Sequence, residues 1–219
     1  MNECLFFLHL LVVVSLILLA LRLGKEALIA CFSMQVVIAN LFVIKQVHLF
    51  GLEITCCDVF IIGSMLTLQL LQEYHGRELA KKCVWIGFFS MLFFGVMSMI
   101  HLGYSPSTLD QTHASFSTIL SKSPRILLAS FLTFIVCQRL DIRLFAFAKK
   151  RLPQKSLFMR SGIVLLPTQL LDTILFTLLG LFGVLEHLGS IIMVSFTIKV
   201  CVIFLMSPLT LFSKRVIKA

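Results

Sequence analysis

Long uncharged stretches divide this chain at intervals of about twenty residues. The first covers residues 4–21, and a second covers residues 27–44 after a short charged segment. A helix needs about 20 consecutive apolar residues to cross the hydrocarbon core of a bilayer. The 219 residues are 59% hydrophobic and 13% charged, which is too apolar for a soluble domain of this size. We therefore predict an all-α, polytopic transmembrane helix bundle that forms a single integral membrane domain.

Seven spans are expected. They cover residues 4–21, 27–44, 54–72, 83–102, 125–147, 162–185 and 188–212. The uncharged part of the third span is residues 59–71, and it reaches back to residue 54 if Asp58 sits at the membrane interface. A tight turn at Glu186-His187 joins the last two spans, and the Ser- and Thr-rich loop 101–124 is expected to carry a short interfacial helix. The first segment lacks a basic N-terminal region and a small-residue cleavage site, so we interpret it as a span and not as a signal peptide.

The basic residues predict the orientation of the chain. With seven spans, the inner side holds Arg22, Lys25, Arg77, Lys81, Lys82, Arg143, Lys149, Lys150, Arg151, Lys155, Arg160, Lys214, Arg215 and Lys218, whereas the outer side keeps Lys45, Lys122 and Arg125. Cytoplasmic loops carry such an excess of Lys and Arg. We expect the N-terminus outside, the C-terminus in the cytoplasm, and a multi-pass protein of the cell's inner (cytoplasmic) membrane. The net charge of +9 therefore indicates orientation and not a nucleic-acid partner.

Several function classes have no support in the sequence. The seven cysteines are scattered through apolar runs without a C-x-x-C spacing, so we interpret them as free thiols and expect neither a metal site nor a cofactor. Neither H-E-x-x-H nor G-x-S-x-G occurs, so we do not expect an enzyme. A P-loop is also missing, so the chain is not expected to hydrolyse ATP itself.

Polar residues within predicted spans are the best candidates for function, because burying them in lipid is costly. The pattern Q-x-L-D-x-x-L-F occurs twice, at residues 138–145 and 169–176. In each copy Gln and Asp are three residues apart and share a helix face. Counted from the inner loop, Asp141 would lie roughly 10 Å and Asp172 roughly 16 Å into the membrane. We predict that the two Gln/Asp pairs face one another in the inner half of the bundle.

Charged partners are available for both aspartates. Lys199 would lie roughly 20 Å deep and can meet Asp172. That pair could be a structural neutralisation, a direct contact to substrate, or both. For Asp141 we favour a structural pair with Arg139 or Arg143.

Further polar groups lie in the second and third spans. Asn40 is within the second, and Gln69 and Glu73 are near the end of the third. Glu73 could form a helix-end pair with Lys81 or Arg77, or belong to a site. Amides, carboxylates, one lysine and aromatic rings together suit a planar solute that forms hydrogen bonds and stacks, such as a nucleobase or a heterocyclic vitamin.

Several segments in order are similar to the queuosine-precursor transporter family, also called the vitamin uptake transporter family. They are RLGKE at 22–26, Ala39-Asn40 followed by Lys45, LFGL at 49–52, EYHGRELAKKCVWIGFF at 73–89, QRLDIRLF at 138–145, TQLLDTILF at 168–176 and Ile198-Lys199-Val200. The resemblance implies a small membrane protein with a six-helix core, here with one additional N-terminal helix, that imports 7-deazaguanine bases for the tRNA nucleoside queuosine. It places Asn40, Glu73, Gln138, Asp141, Gln169, Asp172 and Lys199 on family-typical polar positions.

The third helix departs from the family pattern. Members usually read T-D-x-L-[NT]-E-x-Y-G, whereas residues 68–76 read LQLLQEYHG. Gln69 thus replaces an acid, and His75 replaces an aromatic hydroxyl. A carboxylate accepts two hydrogen bonds from a guanine-like edge, whereas an amide offers one acceptor group. The choice among 7-deazaguanine, its aminomethyl or cyano forms and queuine is therefore open.

The resulting hypothesis is a transporter that moves a purine-like base inward. The expected substrate-binding residues are Asn40, Gln69, Glu73, Gln138, Asp141, Gln169, Asp172, Phe176 and Lys199. Phe176 or Phe145 would stack on the base, and Glu73 would gate the inner end. The alternatives are a substrate-binding membrane subunit of an ATP-driven vitamin importer and a non-transport membrane assembly protein. The expected partners are the base and the lipid bilayer, with a homodimer left open.

Overall fold

The computed structural model describes residues 1–43, 45–55, 57–121, 124–183 and 188–218. Its helices are α1 (Asn2–Leu23), α2 (Lys25–Phe42), α3 (Cys57–His75), α4 (Arg77–Leu102), α5 (His113–Leu120), α6 (Pro124–Arg151), α7 (Leu157–Phe176), α8 (Leu188–Met206) and α9 (Ser213–Lys218). Two short strands, β1 (Gln46–Leu49) and β2 (Leu52–Thr55), lie between α2 and α3. A π-helical turn, Thr177–Leu181, continues α7, and a 3₁₀ turn, Ser207–Phe212, follows α8. The predicted all-α membrane bundle is confirmed, with one small hairpin added to it.

Among the described residues, five helical segments are long and apolar enough to cross a membrane. They are α1, α2, α4, Leu157–Gly180 and Ile191–Val216. Two other long helices, α3 and α6, fall outside that set, and both carry charged and amide side chains. The residues of α3 from Cys57 to Gln72 are all buried or partly buried, because α1, α2, α4, α6, α7 and α8 surround it. The polar side chains of α3 therefore face protein, and its lower apolarity fits its central position.

The segment before α3 differs from the prediction. The predicted third span began at residue 54, but Ile54 pairs with Val47 in an antiparallel hairpin, and α3 begins at Cys57. Phe50 and Gly51, at the tip, have φ angles of 51° and 78°. Positive φ at both central residues is the turn geometry that matches the twist of a two-residue hairpin. The side-chain amide of Asn2 donates to the His48 carbonyl at 2.8 Å, so the start of α1 lies beside the hairpin.

Three helices extend beyond the predicted spans at the opposite end. α4 begins at Arg77 instead of residue 83, α6 ends at Arg151 instead of 147, and α7 begins at Leu157 instead of 162. The Ser156 hydroxyl caps α7 by accepting from the Met159 backbone N–H. Basic residues thus continue these helices beyond their apolar parts. The short helix predicted for loop 101–124 is confirmed as α5, while the turn predicted at 186–187 lies outside the described residues.

The bundle has two chemically different ends. We call the end that carries β1, β2 and the start of α1 the hairpin end. The other end carries Lys149, Lys150 and Arg151 of α6 together with Arg77 of α4, and we call it the basic end. Because α3 and α6 begin at the hairpin end while α2 and α7 begin at the basic end, each residue number can be converted to a level in the bundle. Cys4, Cys31, Cys83, Cys137 and Cys201 are free thiols.

Candidate functional site

A cavity of about 180 Å³ lies in the half of the bundle nearer the hairpin end. Its wall is formed by the second half of α2, the first halves of α3, α6 and α8, and the end of α7 with the turn that follows it. Val36, Ile61, Phe134 and Phe176 contribute apolar surface. The polar lining residues are Asn40, Asp58, Ser64, Ser130, Thr133, Gln138, Asp172, Thr173, Thr177, Ser195 and Lys199. A 150 Å³ protein cavity holds benzene, so this one has room for a small ring system.

Lys199 lies between two carboxylates in the cavity wall. Its Nζ atom is 2.5 Å from Oδ2 of Asp172 and 3.7 Å from Oδ1 of Asp58. The predicted contact between Lys199 and Asp172 is confirmed. Asp58, which the sequence analysis did not propose as a site residue, is buried inside the bundle. Insertion of one such charged residue at the centre of a spanning helix costs about 2.5–3.5 kcal/mol, so mutual pairing is the expected arrangement.

Helical spacing on α3 could have revealed Asp58. Asp58 and Gln69 are eleven residues apart, close to three full turns, so they share one face of the helix. That face also includes Met65 and Gln72. An acidic residue in the first turn of a helix is commonly a surface residue that complements the helix dipole. Asp58 can be recognised as inward-facing only because it lies on the same helix face as Met65, Gln69 and Gln72.

Two polar atoms in the cavity wall have no hydrogen-bond partner within the described part of the chain. They are Oε1 of Gln138 and Oγ1 of Thr133. The amide nitrogen of Gln138 lies 3.5 Å from the Ser64 hydroxyl, which is a long contact. Buried polar groups are nearly always hydrogen-bonded in folded proteins. Both residues line the cavity, and neither oxygen has a partner in its described wall.

A second polar layer separates the cavity from the basic end. The Gln69 amide donates to Oδ1 of Asp141 at 2.8 Å, and both side chains are fully buried. The predicted pairing of Asp141 with an arginine is wrong. The Arg139 guanidinium lies over the Trp85 ring, 4.9 Å from its centroid, and Arg143 is exposed. Oδ2 of Asp141 has no hydrogen-bond partner among the described residues.

The two Gln/Asp pairs lie at matching levels because α6 and α7 run in opposite directions. Gln138 and Asp172 both line the cavity, whereas Asp141 and the fully buried Gln169 lie one turn nearer the basic end. Asp141 is ten residues from the end of α6, about 15 Å along the helix. Asp172 is fifteen residues from the start of α7, about 22 Å. Both residues are further from the ends of their helices than the predicted counts from the inner loop, since both helices extend further towards the basic end.

Glu73 forms ion pairs at the basic end of the bundle. Both of its carboxylate oxygens accept hydrogen bonds from the Arg160 guanidinium, at 3.1 and 2.9 Å. Lys149 Nζ lies 3.1 Å from Oε2 of Glu73 and donates to its backbone carbonyl. These contacts join α3, α6 and α7. The predicted partners Lys81 and Arg77 are wrong, because the left-handed Gly76 (φ 93°) turns the chain into α4 and Lys81 pairs with Glu78.

Polar side chains thus follow the α3/α6/α7 interface through most of its length. On α3 they extend from Asp58 to Glu73, fifteen residues or about 22 Å. Between these two, the Gln72 amide donates to the Ile142 carbonyl at 3.1 Å. Buried polar groups inside a membrane bundle commonly mark the route of a solute or an ion. Of the nine residues proposed from the sequence, Asn40, Gln138, Asp172, Phe176 and Lys199 line the cavity. The other four, Gln69, Glu73, Asp141 and Gln169, lie between it and the basic end.

Comparisons with known proteins are consistent with a transport route. A family model described as "Putative vitamin uptake transporter" matches residues 57–213. A curated protein of Bacillus subtilis (strain 168), named "Probable queuosine precursor transporter", is 32% identical over 162 residues, which is 74% of this chain and 71% of that protein. No solved structure matches the chain. The family match includes Asp58, Asp172 and Lys199.

Proposed function

Because the chain belongs to the vitamin uptake transporter family, and is thus a multi-pass membrane transporter, we propose that it imports a queuosine precursor. The solute would be a 7-deazaguanine-type base such as queuine or a preQ base, used for tRNA modification. The relative's name supports this choice of substrate class. The observation that carries the proposal is the cavity with its unpartnered Gln138 and Thr133 oxygens beside a buried carboxylate pair.

In this proposal the cavity binds the base by its edge and by its faces. Gln138 accepts a hydrogen bond from a ring N–H group, and Asp172 lies across the same cavity on α7. Phe176 and Phe134 contribute the apolar surface for the ring. Gln69 is outside the cavity, and its side-chain amide donates a hydrogen bond to Asp141. The departure from the family pattern at this position therefore affects the passage of the base beyond the cavity and not its binding in the cavity.

The four deeper residues would control passage towards the basic end. We propose seven spans with the N-terminus outside and the C-terminus in the cytoplasm, so that the basic end faces the cytoplasm of a cell's inner membrane. The Glu73 contacts with Arg160 and Lys149 then form the cytoplasmic gate. A substrate leaving the cavity would have to pass the Gln69–Asp141 layer and separate these ion pairs. Whether the unit is a monomer or a homodimer does not change this route.

The test is uptake in a host that cannot make queuosine precursors and lacks its own importer. The host receives the enzyme that inserts queuine directly into tRNA and is supplied with queuine, the aminomethyl base or the cyano base at nanomolar concentration. Queuosine in tRNA that depends on this chain supports the proposal. Its appearance without any added ATPase subunits contradicts the alternative of an ATP-driven importer subunit. Protein present in the membrane without queuosine from any base overturns the proposal.

A further inference from the structure

The cavity wall has unequal numbers of acidic and basic groups. Asp58 and Asp172 both line it, and Lys199 is the one lining cation in the described part of the chain. The Lys199 ammonium forms its hydrogen bond with Asp172 and is 1.2 Å further from Asp58, as the distances of 2.5 and 3.7 Å show. Asp172 is therefore the closely neutralised carboxylate. Asp58 is the carboxylate with which another cation can form an ion pair.

The other buried cation of the described chain, Arg160, and the exposed Arg139 next to Gln138 are both engaged elsewhere. Arg160 binds both oxygens of Glu73 at the basic end. Arg139 lies over Trp85 at the outer surface of the bundle. Since an unbalanced buried charge is strongly disfavoured, a cation entering the cavity would be stabilised beside Asp58.

We propose that Asp58 is a specificity-determining residue that makes this cavity select a base carrying a protonated amine over an uncharged base with the same ring system. This inference rests on the proposed function, because it concerns the solute of that same cavity. An ammonium group donates charge-assisted hydrogen bonds to a carboxylate, which are roughly twice as strong as neutral ones. The low dielectric of the bundle interior increases the difference further.

The shape of the cavity favours a charged substituent on a ring over a free ion. More of the surface of the wall is apolar than polar, and its apolar part, which includes Val36, Ile61 and Phe176, packs against a ring but gives a bare cation no ligand. Asp58 and Ser64, which contacts Gln138, are six residues apart on α3, about 9 Å along the axis. That separation leaves room for a bicyclic ring at Gln138 and a one-carbon amine arm at Asp58.

The experiment compares the aminomethyl base, which is protonated at neutral pH, with the cyano base, which is neutral. Accumulation of each is measured by mass spectrometry in cells that express the wild-type chain, Asp58→Asn or Asp58→Glu. We expect wild type to prefer the aminomethyl base. Asp58→Asn should reduce uptake of the aminomethyl base at least tenfold and leave uptake of the cyano base unchanged. Asp58→Glu should keep the preference for the aminomethyl base. Asp110→Asn, in the exposed loop before α5, is the matched control and should behave as wild type.

Binding to purified protein distinguishes a local effect from misfolding. In thermal-shift assays, the aminomethyl base should stabilise wild type but not Asp58→Asn, while the cyano base should shift both equally. Equal losses for the two bases in Asp58→Asn would overturn the inference and make Asp58 structural. Cyano-base uptake that needs a proton or sodium gradient only when Asp58 is present would also overturn it, since the charge would then serve a coupling ion. Import of both bases without preference overturns this inference alone, whereas absence of uptake and binding of any base overturns the proposed function with it.

Discussion

The side-chain amide of Gln69 donates to Oδ1 of Asp141 across the α3/α6 interface at 2.8 Å, and no charged group of the described chain pairs with that aspartate. Removal of the amide alone leaves a buried carboxyl group without any described partner. A hydrogen bond to a charged group contributes about 1.5–3 kcal/mol, and replacing both partners by apolar groups is much less costly than replacing one.

We therefore expect Gln69→Leu to lower the thermal unfolding temperature in detergent. Gln69→Leu/Asp141→Leu should recover a large part of that loss. The measurement is fluorescence-monitored unfolding of the two single variants and the double variant. Additive losses in the double variant would show that the two side chains do not stabilise each other.

Removing the gate carboxylate should open the basic end. Glu73→Gln loses the ion pairs with Arg160 and Lys149 and weakens the connection among α3, α6 and α7. In a variant that retains Cys137, which lines the cavity, as its one cysteine, maleimide labelling applied from the basic end should become faster.

The matched control for this experiment is Glu78→Gln. It removes an exposed pair with Lys81, and exposed pairs contribute about 0–1 kcal/mol, so labelling should not change. An unchanged labelling rate in Glu73→Gln would remove Glu73 from the gate.

Charge pairing and substrate binding make different predictions for Asp172 and Lys199. Lys199→Met leaves two carboxylates without their shared cation and should reduce the amount of protein in the membrane. Asp172→Asn keeps a polar side chain of similar size and should abolish uptake while the protein remains in the membrane. Immunoblots of membrane fractions and uptake assays separate the two effects. Normal uptake by Asp172→Asn/Lys199→Met would assign the pair a purely structural role.

Gln138 should be important for uptake and of little importance for stability. Its carbonyl oxygen lacks a described partner and its amide contact with Ser64 is long, so Gln138→Leu removes little that holds the protein together. Loss of one hydrogen bond to the base corresponds to about 0.5–1.5 kcal/mol, up to about tenfold in affinity. Uptake measured over a range of base concentrations should show a higher KM. A fall in unfolding temperature with an unchanged KM would contradict this role.

The sequence predicted those features that depend on a single helix or on a short loop. Apolar runs located the helices, and residue composition located α5. The pairing of Lys199 with Asp172 followed from their levels in the bundle. Contacts between distant helices were not predictable in this way: Arg160 reaches Glu73 from 87 residues away, and its position depends on how α7 packs against α3. The contact of Asp58 with Lys199 was missed because an acid in the first turn of a helix is commonly a surface residue, although its spacing to Gln69 indicated the interior.

The enclosure of α3 has a consequence for biogenesis. During synthesis, α3 emerges before α6, α7 and α8, which later supply the partners of its polar residues. Until then, Asp58, Gln69 and Glu73 would face lipid or the insertion machinery, where their burial is unfavourable. Stable integration of α3 must therefore await translation of the C-terminal half. We expect chains truncated before α6 to integrate poorly into the membrane and to be degraded by quality-control proteases.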